Sequence, residues 1–172
     1  MNKTLVFILT DSISNSVFDG QVLAPIAKKL QKNIYQQACI ISFEQKQPAP
    51  DIVTAAAMLN PKISVVILKR APFIHHQLLR NSIHKLRTII KRFDHHDIIA
   101  RGALSGFLAL KAIKNTNCTH LTIQARGLLA EEYHYEHKNS TWLRPLHTLR
   151  TWCYQKLEHA TYAPQIIPVN YI

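Results

Sequence analysis

The chain has 172 residues, 47% of them hydrophobic, and a formal charge of +11 at neutral pH. That length and apolar share suit one domain with a real core and exclude a disordered chain. No apolar run nears the roughly 20 residues that span a bilayer, Val6–Leu9 is too short for a secretion signal, and Cys39, Cys118 and Cys153 lack the spacing of a disulfide framework or zinc site.

Periodicity alternates between strand and helix along the chain. Leu5–Leu9 is an apolar run fit for a buried strand. Gln21–Leu30 predicts a helix with Val22, Ile26 and Leu30 on one side. Gln37–Phe43 reads as a strand, the proline-marked stretch Gln45–Pro50 as a loop, and Ile63–Leu68 as the clearest strand. Leu79, Ile83, Leu86, Ile90 and Phe93 recur at helical steps. A short strand at Asp97–Ala100 and a helix over Ser105–Ile113 follow. Leu121–Gln124 is the next strand, and a helix covers Leu129 to about His137. Lys138–Thr141 is a polar loop, and a long helix from about Trp142 to Ala160 carries Leu146, Leu149, Cys153 and Leu157. Gln165–Val169 could form a last strand. Strands separated by such helices imply βαβ units. The expected fold is α/β, a Rossmann-like three-layer α/β/α sandwich with a mainly parallel sheet, in a single domain.

The charge is uneven. Between Pro61 and Phe93 there is no Asp or Glu, against eight Lys and Arg. Within that stretch Arg80, His84, Arg87 and Lys91 share a helix face, which suits an anionic membrane or phosphates and equally a plain solvated surface. The four glycines, at 20, 102, 106 and 127, form neither a dinucleotide fingerprint nor a phosphate loop. Thr10–Ser16 is a hydroxyl- and amide-rich loop that could meet hydroxyls or phosphate oxygens, or merely cap a helix. His134 and His137 could share a face with Glu131, but solvent-facing histidines are the simpler account of them.

Two strand ends carry a cation and a glycine: Ala100-Arg101-Gly102, and Ala125-Arg126-Gly127 followed by Glu131 and Glu132. Ligands of α/β proteins collect at such carboxyl ends. Arginine presents a fork of donors matched to phosphate or carboxylate; an Arg–Glu tie between loop and helix is the plainer alternative.

Together, Asp97-Ile-Ile-Ala-Arg-Gly-Ala-Leu-Ser-Gly106, Thr122-Ile-Gln-Ala-Arg-Gly-Leu-Leu-Ala-Glu-Glu-Tyr133 and Leu157-Glu-His-Ala-Thr-Tyr-Ala163 resemble the N-terminal domain of GT-B glycosyltransferases of family 4. Val17-Phe-Asp-Gly-Gln-Val-Leu23 and the strand end Ile40-Ile-Ser-Phe-Glu44 are similar to that family's first helix opening and second strand. Gln124 and Thr161 stand where the family often has Asp, and the loop after the first strand is not glycine-rich.

The resemblance implies that residues 1–172 form the acceptor-side half of a GT-B architecture, with the donor-binding C-terminal domain outside this chain. It implies transfer of a sugar from a nucleotide-sugar to an acceptor hydroxyl, without metal or other cofactor. The implied substrate-binding residues are Asn15, Ser16, Gln21, Arg101, Gly102, Arg126, Gly127, Glu131 and Glu132, with no catalytic residue assigned. Arg80, His84, Arg87 and Lys91 would meet an anionic membrane, placing a cytoplasmic protein peripherally at the inner membrane face; nucleic acid is not an expected partner. Two other readings stay open: a non-catalytic basic adaptor for anionic membrane or nucleic acid, and a small Rossmann-like enzyme using Asp11, Ser14 or Asn15.

Overall fold

The computed structural model describes residues 3–15, 17–46, 50–70, 76–125, 129–137, 144–162 and 169–171. Six strands form one sheet: β1 (Lys3–Leu9), β2 (Gln37–Glu44), β3 (Ile63–Lys69), β4 (His95–Arg101), β5 (Cys118–Gln124) and β6 (Val169–Tyr171). Their order is β3-β2-β1-β4-β5-β6, and every pairing is parallel. The helices are α1 (Ala24–Gln31), α2 (Pro50–Leu59), α3 (His76–Ile90), α4 (Ala103–Ala112), α5 (Leu129–His137) and α6 (Arg144–Tyr162). The fold is the Rossmann-like three-layer sandwich that the strand and helix periodicity implies.

Alternate side chains of each central strand enter opposite cores. Leu5, Phe7 and Leu9 of β1 face Val22, Ile26 and Leu30. Val6 and Ile8 face the other way, into a core completed by Leu86 and Ile90 of α3, Leu108 of α4 and Leu157 of α6. Strands covered on both faces need no polar alternation, which is why β1 and β2 read as continuous apolar runs.

Three elements differ from the sequence-based expectation. The stretch 50–59 is a helix, α2; Pro50 is its first residue, where the missing N–H breaks no helical hydrogen bond. The expected helix Gln21–Leu30 begins instead as a π-helical turn, Asp19–Leu23, and continues as α1. On α6 the inward side chains are Tyr154, Leu157, Glu158 and Thr161, whereas Leu146 and Leu149 are about half exposed. Of the expected strand Gln165–Val169, only Val169 lies among the described residues, and it opens β6. Among the described residues no helix is long and apolar enough to cross a membrane.

The amino edge of the sheet is held by polar contacts. Asp97 Oδ2 accepts from the Tyr35 hydroxyl at 2.8 Å and pairs with Lys3 Nζ at 2.9 Å. Burial, with the Asp97 carboxylate, pushes the Cys118 thiol up to about 12, and burial also raises the Cys39 thiol. Neither is a thiolate at neutral pH.

His96 is fully buried in β4, with Nδ1 3.2 Å from the Phe93 carbonyl and Nε2 unpartnered among the described residues. Burial holds its pKa below the ordinary 6.5. Above 6.5 both folded and unfolded states are neutral at this residue and it contributes nothing to pH dependence. Below 6.5 the unfolded chain takes up a proton that the native state refuses, so stability falls as pH drops. Urea unfolding at pH 5.0 and 7.5 should show a smaller difference in His96→Leu than in the wild type. An equal difference would contradict this source.

Candidate functional site

The sheet order reverses between β1 and β4, and the crevice outside the carboxyl ends of those strands is where open α/β sheets bind ligands. A cleft of about 220 Å³ opens there. Thr10 and Asp11 from the end of β1, Arg70 from the end of β3, Gly102 from the end of β4 and Glu132 of α5 line it. Ala103 and Leu104, the first residues of α4, form its floor.

The sequence builds this edge from residues that follow each apolar strand. After β1, the chain turns through a loop held by Glu44, whose side chain is buried at the end of β2. Glu44 Oε1 accepts from the Ile13 backbone N–H at 2.8 Å and from the Ser42 hydroxyl at 2.5 Å. Arg70 donates from Nη1 to the Thr10 carbonyl at 3.0 Å, and its own N–H donates to the Glu44 carbonyl at 2.7 Å. The Ser105 hydroxyl donates to Thr10 Oγ1 at 3.2 Å, tying the first turn of α4 to the same loop.

Gly102 has φ +85°, a conformation that favours glycine, and its N–H donates to the Gln124 carbonyl at 2.8 Å. This turn aims α4 at the cleft. The N-cap residue of α4, Gly102, makes no side-chain cap hydrogen bond, and the first N–H groups and positive dipole end of the helix lie at the crevice. The start of α5 differs: buried Glu158 of α6 accepts from the Ala130 N–H at 3.3 Å.

Arg101 is buried, only 7% exposed, beneath this edge. Its Nη2 donates to Gln21 Oε1, and its Nε lies 3.8 Å from Asp11 Oδ2. The structure thus brings Gln21, Arg101 and Gly102 together, and π-helical turns such as the one carrying Gln21 recur at functional sites. Arg101 holds the π-turn and the Asp11 loop in place; among the described residues Arg70 is the cation that lines the open cleft. Glu132 reaches the cleft, while Glu131 lies in a neighbouring concavity along the α5–α6 hairpin. Asn15 is exposed and its Oδ1 accepts from the Val17 N–H at 3.2 Å, a local turn contact. Ser16, Arg126 and Gly127 lie outside the described residues.

The basic face of α3 is only partly what its spacing suggests. Arg80 and His84 are exposed on it, and Lys91 is exposed in the turn beyond its end. Arg87 turns away: its Nε donates to the Ala112 carbonyl at 3.1 Å and its Nη2 to the Lys111 carbonyl at 2.6 Å. A guanidinium there satisfies terminal carbonyls of α4 and complements its dipole. Arg87→Ala is expected to lower stability by about 1–2 kcal/mol; an unchanged urea midpoint contradicts the cap. Among the described residues no three His, Cys, Asp or Glu side chains gather as a metal-donor set.

Reading the sequence alone leaves out Arg70, Thr10 and Ser105 as a group. Their signal is present in one respect: Arg101 directly follows the apolar run Ile98-Ile-Ala100, and Arg70 stands two residues past the run Ile63–Leu68. Only the strand order shows that these ends are neighbours.

No family model matches this chain, and comparison with curated proteins gives no match.

Proposed function

We propose that this chain is the acceptor-side, Rossmann-like domain of a glycosyltransferase that moves a sugar from a nucleotide-sugar to an acceptor hydroxyl. The observation that carries this reading is the mixed charge of the switch-point cleft. Arg70 and the N-terminus of α4, whose N-cap is a glycine, stand with the carboxylates of Asp11 and Glu132 around one 220 Å³ space. Cationic donors suit a phosphate or carboxylate. Carboxylate acceptors suit sugar hydroxyls, each of which brings a donor hydrogen. A ligand carrying both groups satisfies the cleft, whereas a purely anionic or purely apolar one leaves half of it unpaired. The arginine and glycine motifs that resemble family 4 glycosyltransferases fall on this same edge where they are described, at Arg101-Gly102.

In this reading Arg101 and Glu44 are positioning residues that fix the Asp11 loop, and Arg70, Asp11 and Glu132 meet substrate. Nucleotide-sugar turnover by the full reading frame that holds this chain tests the proposal. Radiolabelled UDP- and GDP-sugars are incubated with lipid and saccharide acceptor fractions. Label should pass to an acceptor, and Arg70→Ala should cut the rate by about 100-fold through lost positioning. Absence of transfer from every donor overturns the proposal.

A further inference from the structure

The α5–α6 hairpin carries a second concavity, of about 820 Å³, within the roughly 300–1,000 Å³ range of small-molecule sites. Glu131, Glu132, Tyr135, Thr151, Trp152 and Gln155 line it. Tyr135 is 70% exposed and Trp152 53% exposed. Two large rings left this open to water offer apolar faces to a ligand. The Lys156 ammonium lies 5.6 Å from the Trp152 ring centroid.

The lining argues against most occupants. Glu131 and Glu132 line the groove beside His134, with the Lys156 ammonium at the Trp152 ring; the two carboxylates disfavour a polyanionic occupant such as anionic lipid or nucleic acid. An apolar protein face or lipid tail would bury Glu131, Glu132, the Thr151 hydroxyl and the Gln155 amide without partners, which is costly. A saccharide meets both demands. Its C–H faces pack on the rings, and its hydroxyls donate to carboxylates and exchange hydrogen bonds with hydroxyl and amide groups. The groove also adjoins the switch-point cleft, because Glu132 lines both.

We infer that the α5–α6 groove is a binding site for a neutral saccharide chain, seated on Trp152 and Tyr135 with its leading end at Glu132. Its role as acceptor rests on the glycosyl-transfer reading; the binding itself does not.

Calorimetric titration of the chain with maltohexaose, cellohexaose and chitohexaose, beside hexagalacturonate, tests this. At least one neutral hexamer should bind, and the polyanionic one should bind more weakly. Trp152→Ala should weaken the neutral ligand by roughly tenfold or more, as truncation of an aromatic anchor does. Because Trp152 is an exposed side chain, the variant should fold with an unchanged urea midpoint. No binding by any neutral hexamer, or equal binding by Trp152→Ala, overturns the inference. So does Trp152-dependent sedimentation with phosphatidylglycerol vesicles in place of saccharide binding. Saccharide binding without sugar transfer keeps this site and removes the glycosyltransferase reading. Sugar transfer with an acceptor KM untouched by Trp152→Ala does the reverse.

Discussion

Glu44→Ala is expected to destabilise the chain by about 3 kcal/mol, because it strands two buried donors at once. The Glu44 carboxylate is 5% exposed and accepts from the Ile13 N–H and the Ser42 hydroxyl. Neither donor is close to water, so each loses its acceptor without replacement. The loop from Thr10 to Asn15 loses its anchor in the same step, and with it the position of Asp11 in the cleft. Glu44→Gln keeps an acceptor oxygen at the same place and should cost no more than about 1 kcal/mol. Urea unfolding of both variants decides the point. Equal losses in the two would mean that packing, not hydrogen bonding, is what Glu44 provides.

The second large effect is expected at Gly106. A Cβ there would lie 2.7 Å from Thr161 Cγ2 and 3.0 Å from Ile123 Cγ2. Thr161 cannot easily yield: it is fully buried, and its hydroxyl donates to the Leu157 carbonyl at 2.8 Å and approaches the Ala103 carbonyl at 3.1 Å. β-Branching further restricts its rotamer. Gly106→Ala should therefore cost about 2–3 kcal/mol despite the usual gain from replacing a helical glycine. Adding Thr161→Ser removes the offending methyl while keeping the hydroxyl, and should return a large part of the loss. Additive penalties in the double variant would contradict this close contact. The same contact explains why α6 packs so closely on α4, and so why Glu158 reaches the start of α5.

Much of the architecture was legible because buried parallel strands advertise themselves. Leu5–Leu9, Ile63–Leu68 and Leu121–Gln124 each lie inside an observed strand. Leu129–His137 coincides with α5. The helix α2 was not legible, since Thr54-Ala-Ala-Ala-Met-Leu59 has no polar–apolar stripe and the preceding prolines read as a loop. The π-helical turn at Asp19–Leu23 was equally hidden, because no sequence periodicity distinguishes it from the helix it precedes.

The site was readable in part. Strand-end cations flagged Arg101, but not that it is buried and engaged by Gln21 and Asp11. Helical spacing grouped Arg87 with Arg80, His84 and Lys91, yet its partners are carbonyls of α4, 24 and 25 residues away along the chain. A charge pattern records which face a side chain leaves from, not where a long, flexible side chain ends. Arg70 became significant only once β3, β1 and β4 were placed in one sheet.

The central claim is that ligand chemistry gathers at the β1–β4 switch point and not on the basic face of α3. Amide chemical-shift mapping of the ¹⁵N-labelled chain during titration with glucose 1-phosphate tests it most directly. Saturable shifts should appear at Thr10 to Asn15, Arg70, Gly102 to Ser105 and Leu129 to Glu132, and be lost in Arg70→Ala. Shifts confined to Arg80, His84 and Lys91, or none at millimolar ligand, would contradict the claim.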